Sequence, residues 1–309
     1  MLVVAAIGGS ALLRPGEPFD AETQRRNVKV ACKTIAEVAQ DNQVVVTHGN
    51  GPQVGFLALQ SEAQRDARAN PLDVLGAETE GMIGYVLEQE LVNALPRRDI
   101  ATLLTQVVVD ADDTAFQHPT KPIGPVYSED DAARLAAERG WAIAPDRNGW
   151  RRVVASPTPH EIVELDTIDL LVESEVVVIC AGGGGIPVAF DDTGGVRGVE
   201  AVVDKDRSAA LLARDLAADT LLLLTDVPAV SANFGTPEAR AIRRISPRQL
   251  RDFDFDARSI RPKLEAASWF TSESGRPAYI GALTDAAEMT RGQAGTEVAA
   301  SVQHTEWYE

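Results

Sequence analysis

Five lysines stand among 29 basic residues, and three of the five sit in segments framed by glycine, proline or aspartate. Lys121 lies in Pro-Thr-Lys-Pro-Ile-Gly-Pro (119–125), Lys205 in Val-Asp-Lys-Asp (203–206) and Lys263 in Arg-Pro-Lys-Leu-Glu (261–265). Arginine supplies the remaining positive charge. An ammonium is a compact point charge on a flexible stem and suits a phosphate oxygen, whereas a guanidinium suits planar, bidentate partners. Lysines kept at predicted loop edges are therefore candidates for handling an anion. Lysine is also an ordinary solvated surface residue, so the surrounding elements must decide.

Three predicted buried strands end in glycine-rich turns: Gly8-Gly9-Ser10, His48-Gly49-Asn50-Gly51 and Gly182–Gly185. Ligands of open α/β sheets bind outside the carboxyl ends of the strands. Glycine there lets backbone N–H groups approach an anion, and a following helix N-terminus adds partial positive charge. Pro52 fits the first turn of such a helix, where its missing N–H costs nothing. Glycine also makes tight turns with no ligand, but three such turns at one sheet edge favour a site. Asp204, Asp206 and Asp226 lie near the same edge; each could hold Mg²⁺ through water, fix a lysine, or serve as a helix cap or turn residue.

Other chemistries lack their residues. There is no Gly-Lys-Ser/Thr phosphate loop, no dinucleotide-binding glycine spacing and no Gly-x-Ser-x-Gly elbow. His48, His118, His160 and His304 have no metal-ligand spacing, and no residue is assigned as a metal ligand. His48, alone in a glycine turn, reads as orienting that turn by a hydrogen bond rather than titrating. Backbone donors, a few lysines and nearby aspartates suit phosphoryl transfer, which needs positioning and positive charge more than covalent help.

The elements that must position these residues alternate. Apolar runs predict strands over 2–7, 43–47, 102–109, 176–181, 220–225 and 278–280, with extended pieces near 228–231 and 241–245. Helical spacing predicts helices over 21–40, 52–66, 73–94, 160–174, 205–217, 247–252 and 261–273. The expected fold class is α/β, an open, mainly parallel sheet covered on both faces. Residues 115–160, rich in Pro, Gly, Trp and charge, read as a small inserted subdomain or lid with extended pieces near 141–144 and 151–154. Residues 182–198 read as a hinge between a half at 1–190, which includes the lid, and a half at 191–309.

The chain has 309 residues, a net charge of −17 and a pI near 4.7, which argues against general nucleic-acid or membrane-surface binding. The acidity also fits solubility, a salty habitat or a GC-rich genome. Cys32 and Cys180 have no paired spacing, so a reducing cytoplasm is expected. No basic leader or membrane-length apolar run is visible.

Longer strings carry a resemblance. Thr47-His-Gly-Asn-Gly-Pro-Gln-Val-Gly55, Leu104-Thr-Gln-Val-Val-Val-Asp110, Pro119-Thr-Lys-Pro-Ile-Gly-Pro125 and Gly149-Trp-Arg-Arg-Val-Val154 resemble the carbamate kinase family. So do Ala181-Gly-Gly-Gly-Gly-Ile-Pro187, Gly198-Val-Glu-Ala-Val-Val-Asp-Lys-Asp206, Leu224-Thr-Asp-Val227 and Pro262-Lys-Leu-Glu-Ala-Ala267. The resemblance implies a three-layer α/β/α sandwich of the amino acid kinase fold, a homodimer, and reversible phosphoryl transfer between ATP and carbamate, giving carbamoyl phosphate and ADP. ATP or ADP and Mg²⁺ would be the cofactors.

The resemblance also implies roles. Lys121, Lys205, Lys263 and Asp206 would act at the transferring phosphoryl group. Gly8, Gly9, Ser10, His48, Gly49, Asn50, Gly51, Gly183 and Gly184 would line the substrate end. Thr225, Asp226, Val227, Phe234 and Pro262 would line the nucleotide site. The chain departs from the family pattern at Ser10, where asparagine is usual, at Glu80, where glutamine is usual, and at Arg258-Ser259-Ile260, where Gly-Ser-Met is usual. A Glu80 facing the cleft would repel an anionic acceptor; one facing solvent or a dimer interface would not. A kinase for another small acid, or a weakly active nucleotide-binding paralogue, are the alternative readings.

Overall fold

The computed structural model describes residues 1–14, 16–63, 69–146, 149–255 and 260–309, without the side chain of Ser10. Arg258 and Ser259, and the last part of the helix expected over 52–66, lie outside the described residues. In chain order, β1 (Leu2–Ile7) leads to α1 (Gly9–Leu12), α2 (Ala21–Ala39), β2 (Gln43–His48), α3 (Gly51–Glu62) and α4 (Leu72–Ala94). β3 (Ile100–Thr102), β4 (Gln106–Val109), β5 (Lys121–Tyr127), α5 (Glu129–Arg139), β6 (Ala142–Asp146), β7 (Gly149–Val154) and β8 (Pro159–Ile162) follow. Next come α6 (Leu165–Glu173), β9 (Val177–Ile179), β10 (Ile186–Phe190), β11 (Val196–Gly198), α7 (Lys205–Asp215) and β12 (Thr220–Thr225). β13 (Ser231–Ala232), β14 (Arg240–Ile245), α8 (Ile260–Ser274), β15 (Ala278–Ala282), α9 (Ala286–Met289), β16 (Thr296–Val298) and β17 (Glu306–Trp307) complete the chain.

The main sheet runs β13-β14-β16-β15-β12-β1-β2-β9-β3, with β17 against β14. Its middle, from β15 to β3, is entirely parallel. Side chains alternate across a strand, so each central strand feeds two cores. Val4 and Ala6 of β1 join α6, α7 and α8 in one; Val3, Ala5 and Ile7 join α2, α4 and α9 in the other. With both faces covered the strands become unbroken apolar runs, which is why they are legible. The expected three-layer α/β/α sandwich is what forms.

Two expectations are corrected. The single strand over 102–109 is two strands in different sheets: β3 edges the main sheet, and β4 joins the sheet β11-β10-β4-β8. Carboxylates cause the break. Thr105 N–H donates to Glu80 Oε2 at 2.8 Å and Gln106 N–H to Glu164 Oε2 at 2.7 Å, withdrawing both from the main ladder. The helix over 160–174 begins only at Leu165, because 159–162 pair with β4 as β8. Residues 182–198, read as the hinge between the halves, hold a 3-10 turn followed by the β10–β11 hairpin.

The inserted region has more structure than its composition announced. β5, β7 and β6 form an antiparallel sheet, with α5 beside it. α5 is well signalled in retrospect: the Ser128 hydroxyl caps Asp131 N–H, three acids fill the first turn, and Gly140 ends it in the left-handed region at φ +69°.

Candidate active site

The parallel register brings three turns to one edge. Ile7 lies beside His48 on one side and Leu224 on the other, so Gly8, Gly49 and Thr225 follow at the same level. The turns touch. A Cβ placed on Gly49 would lie 2.9 Å from Gly9 N and 3.4 Å from Lys205 Cδ. One on Gly183 would lie 2.1 Å from Asn50 Nδ2, and one on Gly184 2.3 Å from Val203 O. Gly183 and Gly184 also have φ of +68° and +103°, so glycine serves conformation and close approach together. Gly8 is the N-cap of α1 and Gly51 opens α3.

Asn50 is buried; its amide donates to Thr79 Oγ1 at 2.8 Å, and Thr79 in turn donates to Gly76 O at 2.7 Å. His48 is buried with Nδ1 3.2 Å from Gly49 O. Burial, with a smaller contribution from the Lys205 charge, pushes its pKa down to about 4, so the ring is neutral at physiological pH. Its ring packs on Gly182, where a Cβ would meet Nε2 at 2.4 Å.

Opposite the turns, the three lysines and two aspartates form one cluster. Lys121 pairs with Asp204 Oδ2 at 2.5 Å, Lys205 with Asp206 Oδ1 at 2.5 Å, and Lys263 with Asp206 Oδ2 at 3.0 Å. Asp204 Oδ1 is also the N-cap of α7, accepting from Asp206 N–H at 3.0 Å and Arg207 N–H at 3.3 Å. Its capping and lysine-fixing roles, left open by the sequence, are both filled. The lysines do not sit in free loops: Lys121 is the first residue of β5, Lys205 the first of α7, and Lys263 is on the first turn of α8. Proline and aspartate there mark element starts, not flexible segments.

Burial is the largest influence on these groups. It lowers Lys205 to about 8, against the support of Asp206. It opposes the charge on Lys263 too, yet Asp206 outweighs it and the pKa rises above the ordinary lysine value. Burial disfavours the Asp206 carboxylate, but Lys205 and Lys263 overcome it and hold the group ionised. Three ammoniums against two carboxylates leave a net positive centre facing the glycine turns.

The nucleotide candidates are more scattered. Thr225 ends β12 and donates to Asp226 Oδ1 at 3.1 Å; Asp226 is exposed and Val227 half-buried. Phe234 is 75 % exposed between β13 and β14, and Pro262 precedes Lys263 on α8.

Glu80 does not face the cleft, solvent or an interface. It is 1 % exposed, accepts from Thr105 N–H, and lies under Gly182, where a Cβ would meet its Cγ at 3.1 Å. Burial, reinforced by the Glu164 charge and opposed by the Thr105 N–H, raises its pKa well above the usual carboxylate range. It is an internal brace between α4 and the Gly182 turn. Two polar groups beside the site were passed over in the sequence: the Gln53 amide and the Thr47 hydroxyl are fully buried without a hydrogen-bond partner among the described residues. Gln53 was legible only as part of the Gly-Pro-Gln-Val-Gly string.

Residues 1–282 match the sequence model of the amino acid kinase family. The carbamate kinase of Rhizobium meliloti is 54 % identical, over 100 % of this chain and 96 % of its own length. That of Haemophilus influenzae is 49 % identical over 100 % of both.

The chain belongs to the carbamate kinases of the amino acid kinase family.

Among solved structures, carbamate kinase from Giardia lamblia bound to citric acid superposes with a TM-score of 0.91 at 38 % identity, covering 96 % of this chain and 98 % of that one. The same enzyme bound to AMP-PNP gives 0.88 at 39 %, with the same coverage. As a carbamate kinase this protein is an ATP-dependent phosphotransferase acting between ATP and carbamate. Among the described residues, no helix is long and apolar enough to cross a membrane.

Proposed function

We propose that Lys121, Lys205, Lys263 and Asp206 form the phosphoryl-transfer centre, with carbamate on the side of the glycine turns and the nucleotide on the side of Thr225. The observation that carries this is one carboxylate, Asp206, shared by two buried ammoniums across from Gly9 and Gly49. A carbamate oxygen attacks the γ-phosphorus of ATP in line, the bond from phosphorus to the bridging oxygen breaks, and ADP leaves. Carbamate already carries the attacking negative oxygen, so no general base is needed. Lys205 and Lys263 meet charge developing on the equatorial and bridging oxygens, and Asp206 holds their spacing before substrate arrives. Lys121 approaches from the inserted subdomain and exchanges Asp204 for substrate oxygen. The half at 1–190 thus takes the acceptor and the half at 191–309 the nucleotide.

Among the described residues no group of three His, Cys, Asp or Glu could cage a metal, and the cluster aspartates are committed to lysines and N–H groups. This fits Mg²⁺ delivered on the nucleotide phosphates, which is how Mg²⁺ is usually held. Bound there, it would supply charge neutralisation to the phosphate oxygens.

A homodimer is supported by the open edge of the main sheet at β3. Tyr85, Leu104 and Leu170, 58 %, 53 % and 62 % exposed, lie on or beside that edge and its flanking helices. A paired edge would bury them. Both cysteines are free and buried, which supports a reducing, cytoplasmic setting. Burial of Glu80 removes the stronger motive for a different acid acceptor.

The test is ATP formation from carbamoyl phosphate and ADP. Lys205→Ala and Lys263→Ala are expected to lower turnover by about 10²–10³-fold while circular dichroism stays unchanged. Near-normal turnover in either variant would show that its assigned role is wrong.

A further inference from the structure

A cavity of about 460 Å³ lies against α7 and α8, and none of its lining residues belongs to the lysine cluster or the glycine turns. The volume is that of a small-ligand pocket. Its floor is apolar and buried: Pro159, Ala210, Leu211 and Ala266. Arg207, Ala210, Leu211 and Arg214 recur at helical spacing, so one stripe of α7 faces it. Trp269 of α8 forms a flat wall, with Arg214 stacked 4.9 Å from its ring centroid. These surfaces fit an aromatic or branched apolar body.

The rim supplies charge. Arg214 is held by Asp215 at 2.6 Å and by the Trp269 ring, so it shapes the wall. Arg207 is the more available cation. Its partner across the helices, Glu265, is 3.4 Å away and both are about half exposed, a screened pair contributing roughly 0–1 kcal/mol. A ligand carboxylate seated over the apolar floor is less screened than Glu265 and competes with it. His160 is a second rim donor. Asp113, which feels both His160 and Arg207, is committed to Ala115 N–H at 2.8 Å and Thr158 N–H at 3.0 Å.

The position gives such a ligand leverage. α7 begins with Lys205 and Asp206, and α8 carries Lys263 two residues before Glu265. The third wall, Thr158 to His160, is the return stem of the subdomain that carries Lys121, tied to its outgoing stem through Asp113. We propose that this cavity is a second ligand site, for a small monocarboxylate with an aromatic or branched apolar body, and that filling it alters phosphoryl transfer through α7, α8 and the subdomain stem. The second half of this rests on the lysine cluster being the transfer centre; the binding half does not.

The probe is 3-phenylpropionate, with 3-phenylpropylamine as a cation of the same shape, titrated calorimetrically into the full chain. The expected result is saturable binding of the acid and none of the amine. Binding is at least tenfold weaker in Arg207→Ala and in Trp269→Ala, both of which keep basal turnover. Turnover at saturating ADP and carbamoyl phosphate changes at least twofold with the acid in the wild type and not in Arg207→Ala. No saturable binding, equal binding by Arg207→Ala, displacement by ADP, or weakening as protein concentration rises (a second copy covering the cavity) each overturns the site. Binding with unchanged turnover overturns the coupling. Retained turnover in Lys205→Ala would instead count against the transfer centre, leaving the calorimetric result standing.

Discussion

The central sheet and the inserted subdomain both deliver lysines to one point, but they hold them by different means. Lys205 and Lys263 project from helices clamped on a sheet whose residues are almost wholly buried, and they share a carboxylate that is itself 5 % exposed. Lys121 rides on a three-stranded sheet seated on α3 and α4 by a small apolar cluster, in which Ile123 and Val154 meet Val54, Ala58, Leu72 and Leu75, and by polar contacts around it. Gly55 meets Gly124 so closely that a Cβ on Gly55 would lie 2.1 Å from Gly124 Cα. Arg152 reaches Glu62 at 3.0 Å, Arg139 also pairs with Glu62, and both arginines stack on Trp141. The arginine contacts are individually weak and screened, and the apolar cluster is small beside the cores that hold the central sheet. Two lysines are thus built in, and the third is latched on, through Asp204.

The largest expected effect breaks the built-in side. Asp206→Ala leaves two buried ammoniums without their partner and should cost about 3–5 kcal/mol of stability, read by denaturant unfolding, along with activity. A loss under 1 kcal/mol would mean the pair is far less dependent on Asp206 than its geometry implies. Next, Gly55→Ala pushes the subdomain off its seat. It should cost about 1–3 kcal/mol locally, increase proteolysis within 115–160, and lower turnover about 10²-fold by misplacing Lys121. Unchanged proteolysis and turnover would show that α3 is not the seat.

Lys121→Ala should separate function from stability. Its side chain is 30 % exposed, so the ion pair with Asp204 contributes at most about 1 kcal/mol, yet turnover should fall. If it destabilised as much as Asp206→Ala, the distinction between latched and built-in lysines would collapse. The smallest effect concerns Glu80. The native carboxyl holds its proton to higher pH than the unfolded one, which releases it near 4.5, so native stability is greatest below that pH and declines above it until the buried group ionises. Glu80→Gln should flatten this decline in a thermal-melt series from pH 4 to 8. Parallel curves for the two proteins would mean Glu80 is ionised in the fold.

Much of the fold and part of the site were legible in the residues. β1, β2 and β12 were readable because strands covered on both faces leave no polar interruption, and the glycine turns because Gly49 meets Gly9 closely and Gly183 and Gly184 combine positive φ with close contacts. The break between β3 and β4 was not, since an apolar run shows no sign that Glu80 and Glu164, 25 and 58 residues away, capture its N–H groups. β5 and β8 were hidden by proline, glycine and histidine, and are strands only because partners pair with them.

The residues alone determined the alternation of elements, the three glycine turns and the supply of lysine and aspartate, because these follow from local sterics, periodicity and side-chain chemistry. Only the tertiary structure decided which aspartate serves which lysine. It placed Asp204 on Lys121 while capping α7, and set Asp206 between Lys205 and Lys263 across 57 residues. It also moved Glu80 out of the cleft and into the interior. Charge type is written in the chain, but whether a charge is paired, buried or protonated depends on what folding brings within a few ångströms of it.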